Sequence, residues 1–357
     1  MPVPRTLKAE EFTFGRRMRA LKMENDILSA TILLDQGADI HELIYRPRGV
    51  DVLFKPPYPA REPGVGPAPQ GDSVTQWISN YRGGWQVILP NFGSPVEHRG
   101  APLGMHGEAA RVPWELQSVE QEEERLEVTL TTRLTLSPFR LHRVLVLTSE
   151  QPVLEVRETI TNEGVDAMEC MWGHHPAFGA PLISPESTLD TGAHFIWSDD
   201  GYDVQGNDLE LDGRWAWPRA KRRDGTAVDM SKLPEPGSGF SRVLFLQDFD
   251  AAWCAITNPR LGFGVGLVWD GALLPYACLW QETGGVRDYP WYGRAYVTAV
   301  EPVSSYPGHG LGEVMQTTGT HLVLGSGESR TLNLKAVFYE GGERVMRIDG
   351  DGKVIRP

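Results

Sequence analysis

Residues 114–134 read WELQSVEQEEERLEVTLTTRL. From Leu126 onward every second side chain is apolar: Leu126, Val128 and Leu130 alternate with Glu127, Thr129 and Thr131. A period of two sends one set of side chains to a core and the other to solvent, the pattern of a half-buried β-strand. The acidic run Glu122-Glu123-Glu124 interrupts the alternation and marks a turn, so the stretch reads as a hairpin. Residues 139–147 and 153–161 give a second hairpin, joined at Ser149-Glu150-Gln151-Pro152.

The same signal extends in both directions. Upstream, residues 27–34 run into the turn Asp35-Gln36-Gly37-Ala38-Asp39, 40–45 resume as a strand, and 50–54 make a third. Downstream, strands are predicted at 243–247, 253–257, 263–269, 274–280, 294–301 and 331–339. Helices are short, at 75–80 and 308–317. Residues 55–72 form a Pro/Gly-rich loop too long for a simple turn, and long loops are often functional. Many short strands with Gly/Pro turns specify an all-β protein, a large antiparallel β-sandwich with few short helices. A single domain over residues 1–357 is expected, with the polar stretch 198–240 as an insertion or lid.

Bulk composition narrows the function. Asp and Glu outnumber Lys and Arg 47 to 34, a net charge of −13, so no basic face is expected for nucleic acid or an anionic membrane. No apolar run has the length of a membrane span, and the charged N-terminus does not read as a secretory signal. A cytoplasmic protein is expected. Cys170, Cys254 and Cys278 are widely spaced and odd in number, which suggests neither a disulfide framework nor a zinc motif. Eleven tryptophans fit a β-rich protein with an aromatic cleft.

Four segments carry candidate chemistry. They are Asn80-Tyr81-Arg82-Gly83-Gly84-Trp85, Gly104-Met105-His106-Gly107, Gly173-His174-His175-Pro176-Ala177-Phe178 and Val300-Glu301-Pro302. Glu301 follows Thr298-Ala299-Val300, so a carboxylate ends an apolar run. One carboxylate and two imidazoles suit proton transfer to and from sugar oxygens. In a strand His174 and His175 face opposite ways, so one of the two is structural.

In this order and spacing, the segments resemble the aldose 1-epimerase (galactose mutarotase-like) superfamily over roughly residues 25–340. The resemblance implies a supersandwich fold, a monosaccharide as the small-molecule partner, and interconversion of its α and β anomers without a cofactor or metal. By resemblance Glu301 is the general base at the anomeric hydroxyl and His175 the acid at the ring oxygen. His106 and Arg82 would hold sugar oxygens. A family aspartate that binds a sugar hydroxyl falls on Asp248 or Asp270, with Asp248 preferred. Trp85, Trp280 and Trp291 stand beside the motifs as flat faces for sugar C–H groups. Residues 280–291 are read as a loop over the cleft mouth.

The general logic is independent of the family. Opening a hemiacetal removes one proton and delivers another. Burial should raise the glutamate, and the neighbouring carboxylate should raise the histidine. In the hexose-6-phosphate branch His-Gly is followed by Phe-Ala-Arg, the arginine serving phosphate. Here the string is His106-Gly107-Glu108-Ala109-Ala110, and Arg111 would point to the other face of a strand. An unphosphorylated sugar is therefore expected, with a hexose-6-phosphate 1-epimerase or a non-catalytic carbohydrate-binding protein as alternatives. A metal-dependent isomerase or lyase would need His106, His174, His175 and Glu301 to converge as ligands. No oligomeric state is assigned.

Overall fold

A computed structural model describes residues 7–62 and 71–357, so residues 63–70 of the predicted 55–72 loop lie outside it. Strands dominate, and the two helices are short, Ser73–Asn80 and Leu311–Gln316. Asp72 caps the first helix by accepting from the Thr75 amide at 2.8 Å. No helix among the described residues is long and apolar enough to cross a membrane.

The strand pairings are antiparallel and form two runs. One run neighbours Lys8–Phe14, Met18–Glu24, Leu28–Leu33, Asp39–Tyr45, Trp85–Ile88, Gly173–Gly179, Val297–Val303 and Tyr276–Glu282 in that order. The other neighbours Glu115–Gln121, Arg125–Arg133, Phe139–Thr148, Val153–Asn162, Ser329–Glu340 and Phe263–Trp269. The long strand Ser241–Asn258 belongs to both. Its first half pairs with Tyr276–Glu282 and its second with Phe263–Trp269. The two strands expected at 243–247 and 253–257 are thus one strand, with an irregularity near Asp248 where φ is +61°.

The core lies between the two runs. Leu126, Val128 and Leu130 join Leu28, Ile32, Trp85, Phe178, Val300 and Leu334 in one buried cluster. In the second run Arg125–Arg133 alternates buried and half-buried positions as its sequence predicts. In the first run Gly173–Gly179 and Val297–Val303 are buried at every position. A strand buried on both faces has something packed on its outer side, and here that cover lies over the candidate site.

The excursion at 198–240 is built of short strands, Arg214–Ala216, Arg219–Lys221 and Ala227–Asp229. Leu209, Ala220, Met230 and Leu233 anchor it in the main core. Arg242 donates to both oxygens of Asp208 at 2.6 and 2.7 Å, fixing its base.

Candidate active site

The register across the first run decides which side chains meet. Gly173 pairs with Val303 and Ala177 with Ala299, which places His175 directly opposite Glu301. Cys278 lies opposite Glu301 on its other side, and Gln86 lies opposite His175. Residues paired this way point to the same face of a sheet. Gln86, His175, Glu301 and Cys278 therefore form one row across four strands.

His175 Nε2 stands 3.4 Å from Glu301 Oε1. Both residues are buried, at 5 % and 2 % exposure. His175 Nδ1 and Glu301 Oε2 have no hydrogen-bond partner. Buried polar atoms are normally satisfied, so these two mark a place where a polar guest belongs.

His106 comes to the same place from a turn. Its φ is +54°, its amide donates to the Gly93 carbonyl, and its Nδ1 accepts from the Gly93 amide at 3.3 Å. With Nδ1 accepting, the proton of the neutral ring sits on Nε2. The ring packs 4.9 Å from Trp77, 5.5 Å from Phe92 and 5.4 Å from His175. The adjacent glycine is required by shape: a Cβ on Gly107, at φ +76°, would lie 2.2 Å from the Leu89 carbonyl oxygen. Gly107→Ala is expected to destabilise the protein by about 1–3 kcal/mol. Chemical denaturation checks this, and an unchanged midpoint would contradict it.

An aromatic cover closes the row. Trp280 lies 5.8 Å from His175 and 5.6 Å from Trp291. Tyr81 lies 5.8 Å from His175, and Tyr58 stacks 5.9 Å from Trp291. Trp280 is on the strand ending at Glu282, so the connecting loop begins at Thr283 and Trp291 reaches in from it. A cavity of about 420 Å³ lies at the ends of these strands, lined by residues that include Phe54, Lys55, Gly179 and Arg294. It does not hold the pair. The site is therefore located by the unpartnered polar groups.

Burial sets the electrostatics. It raises the Glu301 carboxyl well above its ordinary value and lowers His175 to about 4. His106 is pushed well below its usual range, first by burial and then by His175. The expected rise of His175 beside a carboxylate does not occur: burial of the imidazolium lowers it, opposed only by a backbone hydrogen bond. Glu301 and His175 thus share one proton over a broad pH range, as a coupled pair.

Of the residues singled out in the sequence, Glu301, His175, His106, Trp280 and Trp291 come together. His174 does not. It faces the sandwich interior, accepting from Trp85 Nε1 at 3.1 Å, with its Nε2 3.5 Å from Glu158. Trp85 accordingly packs in the core and not in the cleft. With His174 turned away, the four-ligand set His106, His174, His175 and Glu301 does not converge.

Arg82 is engaged elsewhere. It donates to Gln36 Oε1 at 3.1 Å and to the Arg61 carbonyl at 2.7 Å, and lies over the Phe14 ring. Its neighbour Tyr81 is the one that faces the pair. Asp248 is exposed at the irregular point of its strand. Asp270 caps a turn by accepting from the Ala272 amide at 3.0 Å. Neither aspartate hydrogen-bonds to the pair. Arg111 also departs from expectation: residues 104–111 are turns rather than a strand, so Arg111 lines the same small cavity as Ala110. Glu108 is structural, its carboxylate accepting from the amides of Thr135 and Leu136 at 3.0 Å.

The comparisons with known proteins agree with this geometry at the level of fold. The profile of a family described as "Domain of unknown function (DUF4432)" matches residues 15–337. No curated protein matches the sequence. A candidate aldose 1-epimerase from Klebsiella pneumoniae superposes with a TM-score of 0.73 at 15 % identity, covering 94 % of this chain and 84 % of its own. A galactose mutarotase-like protein from Clostridium acetobutylicum gives 0.67 at 15 % identity, with 94 % and 99 % covered. One from Lactobacillus casei gives 0.54 at 17 % identity, with 90 % and 100 % covered. At such identities the likeness establishes a galactose mutarotase-like fold and not an activity.

Proposed function

The chain belongs to the DUF4432 family, and on that premise we propose that it is an aldose 1-epimerase-like isomerase, interconverting the α and β anomers of a monosaccharide. The observation that carries this reading is the His175–Glu301 pair, opposed across neighbouring strands with Nε2 and Oε1 3.4 Å apart and one unpartnered polar atom on each residue. A sugar bound against the pair offers its anomeric hydroxyl to one group and its ring oxygen to the other. The form that reacts has the shared proton on His175 and Glu301 ionised, reached by transfer across the 3.4 Å between Oε1 and Nε2. Glu301 then takes the hydroxyl proton, His175 gives its proton to the ring oxygen, and the C1–O5 bond opens. Rotation about C1–C2 and the reverse transfers close the other anomer. His106 supports the intermediate by donating from Nε2 to a sugar oxygen.

The pair is competent while it holds one proton. Below about pH 4 His175 gains a second proton and no base remains. Above the raised value of Glu301 the last proton leaves and no acid remains. On the acid side the rate should fall through about pH 4. Two-dimensional exchange NMR between anomeric signals, over a panel of aldohexoses, aldopentoses and deoxy sugars, tests the reading. Unaccelerated exchange for every sugar would refute it. Calorimetric binding without acceleration would select the carbohydrate-binding alternative.

A further inference from the structure

The row that holds the pair continues one strand beyond Gln86. Ile40 pairs with Trp85, which brings Asp39 beside Gln86, and Gln86 Nε2 donates to Asp39 Oδ2 at 3.1 Å. Asp39, Gln86 and Tyr81 are exposed by only 1 %, 2 % and 4 %. Each presents one atom without a hydrogen-bond partner: Asp39 Oδ1, Gln86 Oε1 and the Tyr81 hydroxyl. All three residues line one cavity of about 10 Å³, together with Gln36, Trp77 and Arg111. That volume suits a single hydroxyl group or water molecule and nothing larger.

The chamber adjoins the proton-transfer pair. The Tyr81 ring lies 5.8 Å from His175, and its hydroxyl is pushed well above its ordinary value first by burial, then by Glu301, with Asp39 also contributing. Asp39 and His175 are two strand spacings apart, about 10 Å, a distance comparable to one pyranose with its hydroxyls. Burial holds Asp39 well above the usual carboxylate range.

We propose that Tyr81, Asp39 and Gln86 form a second subsite of the same cleft, which binds one sugar hydroxyl remote from the anomeric carbon and thereby selects the sugar. This rests on the carbohydrate reading of the site, though not on turnover. A site built around unpaired polar groups penalises a ligand that lacks the matching hydroxyl, because those groups then stay unsatisfied.

The test uses the full chain, wild type, Tyr81→Phe and Asp39→Asn. Both substitutions keep shape and remove one polar function, and thermal melting confirms the fold. If Asp39→Asn fails to fold, Tyr81→Phe alone carries the test. Calorimetry is run with 1,5-anhydrohexitols, which lack an anomeric hydroxyl and cannot be turned over, and with their monodeoxy forms. In the wild type, removal of one particular hydroxyl should weaken binding about tenfold or more. In Tyr81→Phe the parent should weaken about tenfold and that deoxy compound should not change, so discrimination collapses. Equal weakening of every compound would mean a structural role and overturn the inference. Unchanged discrimination would leave the chamber a water site only and also overturn it, as would absence of binding by every compound. Discrimination without anomer exchange would keep the subsite and reject the isomerase. Exchange without discrimination would do the reverse.

Discussion

Glu301→Gln should slow anomer exchange about 10²- to 10⁴-fold, which corresponds to roughly 3–5 kcal/mol in the barrier. Glutamine keeps the size of the side chain and can still hydrogen-bond a sugar hydroxyl. It loses the single proton that Glu301 and His175 share, so one of the two transfers has no partner. The alkaline limb of the pH profile should vanish with it, since that limb belongs to Glu301. Sugar binding should change far less than the rate, as the lost interaction operates in the transition state. Exchange spectroscopy and calorimetry on the same variant separate the two. Wild-type exchange in Glu301→Gln would remove Glu301 from the chemistry.

Glu158→Gln should produce the larger effect on stability, about 3–5 kcal/mol at neutral pH. Glu158 and Arg143 are fully enclosed between the sheets, with side-chain exposures of 0 % and 2 %. Arg143 Nε donates to Oε2 at 2.6 Å, Nη1 donates to the Ala38 carbonyl at 2.9 Å, and Trp172 Nε1 donates to Oε1 at 2.9 Å. Arg143 Nη2 lies 2.5 Å from the same Oε2, out of line for a further hydrogen bond. The guanidinium also sits 4.5 Å over the Trp114 ring. An amide at position 158 would leave a buried cation without its counter-charge, the costly case for such pairs.

The acid dependence follows from the same group. Burial opposes ionisation of Glu158, but the Arg143 charge, ahead of His174 and Trp172, holds its carboxyl down to about 2. A depressed carboxyl contributes stability above its unfolded value and loses it as pH falls through the folded value. The gap between wild type and Glu158→Gln should therefore be full near neutrality and shrink from about pH 4.5 toward about 2. Urea denaturation across this range measures it. A gap below about 1 kcal/mol at neutral pH would mean that the cation is solvated or re-paired after the substitution.

The fold was legible because its signal is local. Alternation at Leu126, Val128 and Leu130, turn residues between strands and the absence of long helical patterns depend on neighbours in sequence. The main misses were also local in origin. Lys8–Phe14 is an exposed edge-like strand with no apolar alternation, and Thr188–Ser198 carries Gly192 and an irregular pairing. Neither offered a clean period.

The site was legible where a motif fixed the residue and illegible where direction mattered. Period-two alternation stated that His174 and His175 part ways, and the structure sends His174 to Glu158 and His175 to Glu301. Asp39 carried no signal linking it to Gln86 and Tyr81, because it comes from a separate segment and meets Gln86 only through cross-strand register. The resemblance points to Arg82, yet it is the residue one step earlier, Tyr81, that faces the cleft while Arg82 binds the Arg61 carbonyl.

The sequence by itself determined an antiparallel β-sandwich, since that is written in short-range pattern, and it offered Glu301 and His175 as candidates through the motifs around them. Only the tertiary structure decided which strands lie side by side, and hence that an acid at position 39 shares a face with one at position 301. It also decided that desolvation, not the neighbouring charge, governs His175, because burial is a property of the packed molecule and not of any segment.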